Sequence, residues 1–378
     1  METPFVFGKM AFGDDFTDRQ SELARLSQNF ISGINTILIS PRRWGKSSLV
    51  AKAATETREN HPDIRIVFID LFNVRSEEEF YRVLAESVIK ATTNKMQEVM
   101  AQSKKFFRQI IPKITFSPEH TQKFSLSFDW RDVKNQPAEI LDLAERIAES
   151  KKLKIVVCID EFQNTGFFID SLGFQKTLRS YWQQHQHASY CLFGSKRHML
   201  MEVFASPSMP FYKFGDLMFL EKITIENWEP FIISRFLQTG KSLTTDQAGK
   251  IASLVECHPY YVQQLAQICW LRAEKKLTDE VIGQSLESLI LQLSLLFQNI
   301  METFSFTQIN FLHAVLSGEP HLSSGETIQK YHLGSSAGVS QVKQALISKE
   351  IIDSVSGNID FLDPIFKLWL KRYYFVNI

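Results

Sequence analysis

Two stretches of this sequence carry side chains of the types that bind a polyphosphate and activate water against it. The first is Asn35-Thr36-Ile37-Leu38-Ile39-Ser40-Pro41-Arg42-Arg43-Trp44-Gly45-Lys46-Ser47-Ser48-Leu49-Val50. It follows the spacing G-x-x-x-x-G-K-[ST], with Ser40 where the first glycine would stand. Gly45 permits dihedrals that other residues avoid, so that successive N–H groups and the start of the next helix can point at an anion. Lys46 adds a point charge for the β- and γ-phosphates, and the Ser47 hydroxyl is an oxygen ligand suited to octahedral Mg2+. Ser40, Pro41, Arg42, Arg43, Trp44, Gly45, Lys46, Ser47 and Ser48 are therefore the expected ATP/ADP loop. The second stretch is an apolar run, Ile155 to Ile159, ending in Asp160-Glu161. Asp160 is expected to hold Mg2+ through its water shell, and Glu161 to orient and polarise the attacking water. An acidic pair after a strand can also be a plain solvated loop start; the loop at Gly45 favours the chemical reading. A third run, Cys191 to Phe193, ends in Gly194-Ser195-Lys196-Arg197. Two readings of Ser195 stand, a hydrogen bond to the γ-phosphate or the lytic water, and a simple strand-to-helix turn. Arg197 is either a positive sensor or a solvated arginine.

For these residues to converge, the runs that carry them must be parallel neighbours. Short β-rich runs at Thr36–Ile39, Ile64–Asp70, Ile155–Ile159, Tyr190–Phe193 and Leu217–Leu220 alternate with helical patterns, which predicts an α/β fold with a parallel sheet and crossover helices. The site then falls at the carboxyl ends of the strands, where open α/β sheets place ligands. From Thr224 the β signal stops and helices are predicted, one starting behind Thr224 as N-cap with Ile225, Asn227 and Trp228, then at about 244–255, 259–275 and 278–300, an all-α lid. The last seventy-odd residues read as three helices and a turn at Ser354–Phe361, the parts of a winged helix. The expected domains are thus 1–222, with an inserted hairpin at about 104–135, then 223–303 and 304–378. Lys104, Lys105 and Arg108 in the insertion are read as either a partner contact or a solvated face.

Composition bounds the rest. With 378 residues, 44% hydrophobic and 22% charged, the chain is neither disordered, nor collagen-like, nor a coiled-coil rod. Lys+Arg and Asp+Glu are both 42, so no global field draws nucleic acid or an anionic membrane. Cys158, Cys191, Cys257 and Cys269 show neither C-x-x-C nor metal-ligand spacing, and a reducing, cytoplasmic location is expected. No basic start followed by an apolar run precedes Asp14-Asp15, so no signal peptide is read there. The apolar stretch Leu286–Met301, broken by Glu287, Gln292 and Gln298, is read as a buried helix rather than a membrane span.

With these residues in view, the chain resembles the AAA+/STAND group of P-loop ATPases, and within it the prokaryotic family with a Pro-Arg-Arg-x-Gly-Lys-[Ser/Thr] loop. Phe16-Thr17-Asp18-Arg19-Gln20-Ser21-Glu22-Leu23 is similar to that family's entry box, which implies Arg19 close to the adenine. Asp160-Glu161-Phe162-Gln163 resembles its Walker B extension and Gly194-Ser195 its sensor-1 element. Cys257-His258-Pro259-Tyr260-Tyr261 is similar to its Gly-His-Pro-Tyr-Tyr signature, which implies Pro259 near the base and His258 facing the phosphates. Read from the residues alone, His-Pro-Tyr-Tyr is also an ordinary helix start, with proline at N1 and aromatics filling a core. Cys257 and Ser40 replace glycines of the family pattern. An arginine often follows Pro-x-Tyr in the family; here Pro210-Phe211-Tyr212 is followed by Lys213, the substitute candidate.

The resemblance implies an Mg2+-dependent ATPase acting as a nucleotide-controlled switch that reports to a protein partner, with homo-oligomers left open. The alternative is an ATP-dependent DNA-binding protein of origin-recognition or transposition-regulator type. Against it, residues 301–378 hold six Lys/Arg and seven Asp/Glu, and the expected recognition helix Ser335–Leu346 has one lysine. A third reading is a fold that binds nucleotide without hydrolysing it. Asn94-Lys95-Met96-Gln97 lacks the carboxylate of a guanine-reading N-K-x-D motif, so ATP is expected over GTP.

Overall fold

The structure, a computed structural model, describes residues 3–92, 115–118, 124–127, 137–355 and 358–375. Its chain falls into two compact units, Arg19–Glu221 and a second made of Met1–Asp18 with Lys222–Ile378.

The first unit is built on a five-stranded sheet. Its strands are β1 (Thr36–Ile39), β2 (Ile64–Asp70), β5 (Lys154–Asp160), β6 (Ala188–Gly194) and β7 (Asp216–Phe219), in the order β2-β5-β6-β1-β7. All neighbours are parallel. The inner strands β1 and β6 are buried at every position, as crossover helices on both faces require. Register sets the site: Ile39 pairs with Gly194 and with Phe219, and Asp70 pairs with Asp160. The strands thus end level, and Ser40, Asp160 and Ser195 leave the sheet along one edge. Between the sheet and its helices lies a core that includes Leu84, Val88, Ile147, Ile159, Phe162, Leu178, Trp182 and Tyr190. Two further strands, β3 (Thr115–Pro118) and β4 (Phe124–Ser127), pair antiparallel as a hairpin. Lys104, Lys105 and Arg108 of the expected insertion, and Asn94-Lys95-Met96-Gln97, lie outside the described residues.

The second unit is helical: Ile225–Leu237, Thr245–Leu254, Pro259–Arg272, Asp279–Glu302, Phe306–Leu316, Gly325–Lys330, Ser336–Ser348 and Pro364–Trp369. The antiparallel hairpin β8 (Ile352–Val355) and β9 (Asn358–Phe361) completes it. Local chemistry sets the helix starts. Thr244 with Gln247 and Ser305 with Gln308 form capping boxes, and Pro259 occupies the first turn behind His258. One continuous core runs from Phe5 and Ile223 through Trp228, Leu265 and Phe297 to Phe366 and Leu370. The N-terminal segment belongs here: Phe5 is buried, the Val6 N–H donates to Gln263 Oε1 at 3.2 Å, and Asp15 pairs with Arg235 at 2.9 Å. Helix Asp279–Glu302 is the one described helix long and apolar enough to cross a membrane. Its buried positions Ile282, Leu286, Leu289, Ile290, Phe297 and Met301 form one stripe set into this core.

Candidate functional site

The loop between β1 and helix Lys46–Asn60 is shaped by its small residues and its glycine. Ser40 is fully buried, and its hydroxyl donates to the Pro41 carbonyl at 2.9 Å. Arg43 and Gly45 take left-handed backbone, Gly45 with φ 90° and ψ 14°. A Cβ at position 45 would meet no atom within 4 Å, so the glycine serves conformation and close approach rather than packing. Gly45 is the N-cap and no side chain caps the helix, which leaves its first N–H groups to a ligand. Pro41 is buried, Trp44 half-buried, and Arg42 and Arg43 are exposed.

Behind the loop, five of the expected side chains meet. The Ser47 hydroxyl donates to Asp160 Oδ2 at 2.9 Å, and Lys46 Nζ stands 3.7 Å from Asp160 Oδ1 and 3.4 Å from Glu161 Oε1. Ser195 Oγ donates to Glu161 Oε2 at 3.0 Å, so this serine touches the acid–base candidate itself. Glu161 has φ 53° and ψ 39°, a left-handed turn that costs a non-glycine residue on the order of 1–3 kcal/mol. Its N–H donates to Asp160 Oδ1 at 2.8 Å, which holds the two carboxylates at fixed angles.

Their environments shift the two carboxyls in opposite directions. Burial raises the Asp160 carboxyl above its ordinary value; Lys46 opposes this and the neighbouring Glu161 charge adds to it. At Glu161 burial also acts upward, but Lys46 and hydrogen bonds from Gln163 and Ser195 outweigh it, leaving the carboxyl below its ordinary value. Glu161 is thus held charged, the form a general base needs. The same donor set fits a hard divalent ion: Ser47 Oγ and Asp160 present oxygens to one point beside an uncapped helix N-terminus.

Arg19, 4% exposed and left-handed, donates to Glu22 Oε1 at 3.0 Å and to the Trp44 carbonyl at 3.5 Å, which ties the entry box to the loop. Arg197 lies over the Phe219 ring at 5.8 Å, and Lys213 over Tyr212 at 5.4 Å. His258 and Pro259 lie in the second unit. There His258 is 5% exposed, and the chain enters through left-handed Glu256 and Cys257, with φ 52° and 55°. That is glycine's conformation in the position where Cys257 replaces one. Gln163, noted in the sequence only as the end of the Walker B-like run, also donates from its amide to the Glu161 carboxylate.

Residues 295–372 match a family described as a probable winged helix domain. No curated protein matches the sequence. Among solved structures, the chain is similar to the Walker-type ATPase PABY2304 of Pyrococcus abyssi, at 15% identity and TM-score 0.67, over 97% of this chain and 99% of that one. It is also similar to the Aeropyrum pernix ORC2 protein, solved as ADPNP-ADP complexes, at 11% identity and TM-score 0.57, covering 96% and 93%. The Aeropyrum pernix ORC1 protein in complex with DNA matches at 12% identity and TM-score 0.50, covering 96% and 94%. At these identities the likeness speaks to architecture. The fold is that of a Walker-type, AAA+-like P-loop ATPase with a winged helix at its C-terminal end.

Proposed function

We propose that this protein binds ATP with Mg2+ and hydrolyses it to ADP and phosphate, and that the nucleotide state acts as a switch. The observation that carries this is the meeting of Lys46, Ser47, Asp160, Glu161 and Ser195 at the carboxyl ends of adjacent parallel strands. The loop at Gly45 would cradle the phosphates, and Ser47 with Asp160 would hold Mg2+, which neutralises phosphate charge when bound. Glu161 accepts the proton of the attacking water, Lys46 offsets charge on the transferring group, and Ser195 orients Glu161. Arg19, His258 and Pro259 are assigned to nucleotide binding on the resemblance.

Calorimetry with millimolar nucleotide and Mg2+ should give heat for the intact protein and none for Lys46→Ala. Phosphate release should fall about 10²- to 10⁴-fold in Glu161→Gln. Equal background release in both would leave a binder rather than a hydrolase.

A second reading, ATP-supported DNA binding, draws on the winged helix match and on the ORC1 neighbour solved with DNA. The surface of the expected recognition helix opposes it. On helix Ser336–Ser348 the exposed positions Ser336, Ala337, Ser340, Gln341, Gln344 and Ser348 carry no charge, so little phosphate neutralisation is on offer. Filter binding across salt decides: ATP-dependent duplex affinity that falls steeply with salt would favour this second reading. We place the protein partner, not DNA, as the receiver of the switch.

A further inference from the structure

We propose that Gln163 is a positioning residue that fixes the Glu161 carboxylate, with Gly194 kept as glycine to make room for it; this rests on the reading of Glu161 as the general base. Gln163 is 1% exposed and lies in the short 3-10 helix Phe162–Phe167. The left-handed turn at Glu161 folds the chain back on itself, so that Gln163 Nε2 donates to Glu161 Oε2. That oxygen also accepts from Ser195 Oγ at 3.0 Å, while Oε1 faces Lys46 Nζ at 3.4 Å. The carboxylate is gripped at both oxygens and cannot swing about its last side-chain bond.

The other end of the amide shows what the glutamine is kept for. Gln163 Oε1 is buried with no hydrogen-bond donor, an uncompensated cost. Reversing the amide would set that oxygen against the Glu161 carboxylate, oxygen on oxygen. A residue serving packing alone would be apolar here; the orphaned carbonyl is tolerated for the sake of the N–H that reaches Glu161. Gln163 also lies on Gly194: a Cβ there would stand 1.9 Å from Gln163 Oε1. Any side chain at 194 therefore displaces the amide and, through it, Glu161.

The test uses the full chain, steady-state phosphate release from Mg-ATP, nucleotide calorimetry and thermal unfolding. Gln163→Leu, close in shape but without a donor, should lower kcat on the order of 10- to 100-fold, because a misplaced group loses its alignment. KM and nucleotide Kd should stay within about twofold, since Gln163 does not touch the phosphate loop. Gly194→Ala should lower kcat in the same manner with Gln163 intact, and so remains informative if Gln163→Leu does not fold. The double variant should be no worse than Gln163→Leu alone, because both act through one amide. Unchanged kcat in a folded Gln163→Leu, a rise in KM in place of the fall in kcat, or additive losses in the double variant would each overturn this inference alone. Wild-type release no greater than that of Glu161→Gln would instead overturn the reading of Glu161 on which it stands.

Discussion

Lys46→Met should destabilise the nucleotide-free protein at neutral pH, and by less as the pH falls. Lys46 Nζ lies 3.4 Å and 3.7 Å from two carboxylates. At an effective dielectric of about 20 each pair is worth roughly 4–5 kcal/mol before desolvation. The three side chains are 11%, 22% and 17% exposed, so screening and the recovered hydration of the lost ammonium take back most of this. What remains is two like charges facing each other, a net loss of about 1–3 kcal/mol. For a unit of this size about 2–4 °C accompanies each kcal/mol, so its transition should drop by about 2–12 °C. The pH dependence is the sharper signature. In the wild type Glu161 has a lowered folded value, so its contribution is present above the ordinary glutamate range and lost as pH falls through the folded value. Without Lys46 both carboxyls rise, and a raised folded value gives stability below the unfolded value that is lost as pH climbs through the folded one. Both effects shrink the gap between variant and wild type on acidification. Thermal unfolding at about pH 8 and about pH 4 reads it, the lower value lying below the ordinary glutamate value, where the wild-type contribution is already being lost. A gap as large at the lower pH, or a variant more stable than wild type at the higher, would refute the charge-balance reasoning.

Two other substitutions probe neighbouring parts of the argument. Gly45→Ala meets open space but must hold φ 90°, so it should cost only about 1–2 kcal/mol in thermal unfolding while weakening nucleotide binding at least tenfold by calorimetry. Tyr261→Phe removes a donor to Asp363 Oδ2 at 2.6 Å and should cost about 1.5–3 kcal/mol in the unfolding of the helical unit, with kcat unchanged.

The sheet was legible because its signals are local. Apolar runs bounded by turn residues sit where β1, β2, β5, β6 and β7 are found, and three of them, β1, β5 and β6, lead into the candidate site residues Ser40, Asp160 and Ser195. The helix starts at Thr224, Thr244, Pro259 and Thr278 were legible for the same reason, since capping is decided within a few residues. Gln163 was not. Its partner Glu161 is two residues away, a spacing that normally sends side chains apart, and only the left-handed backbone at Glu161 brings them together. Ser195 was read as either a phosphate contact or a turn; its bond to Glu161 depends on β5 and β6 being neighbours in register, which no local pattern records. Phe5 and Val6 likewise gave no sign that they would pack among helices more than two hundred residues away.

The second unit constrains how any switch can work. Helix Asp279–Glu302 belongs both to the predicted lid and, from residue 295, to the winged helix match. Phe297 on that helix packs against Phe366 and Trp369 at 5.2 Å and 5.7 Å, and Trp369 Nε1 donates to Ser294 Oγ at 2.8 Å. Lys367 bridges from the winged helix to Glu256, beside the His258–Pro259 turn, at 2.8 Å. Lifting the winged helix off these helices would expose Phe297, Phe366 and Trp369 together with Met301 and Ile290. At about 1.5–3 kcal/mol per large apolar side chain, that comes to roughly 7–15 kcal/mol. Ligand-driven couplings between sites are typically about 1–3 kcal/mol. Under the switch proposed above, the helical and winged parts should therefore move as one body. On that proposal, a change at His258 and Pro259 would pass to the winged helix through the shared core of this unit, not by opening a seam within it.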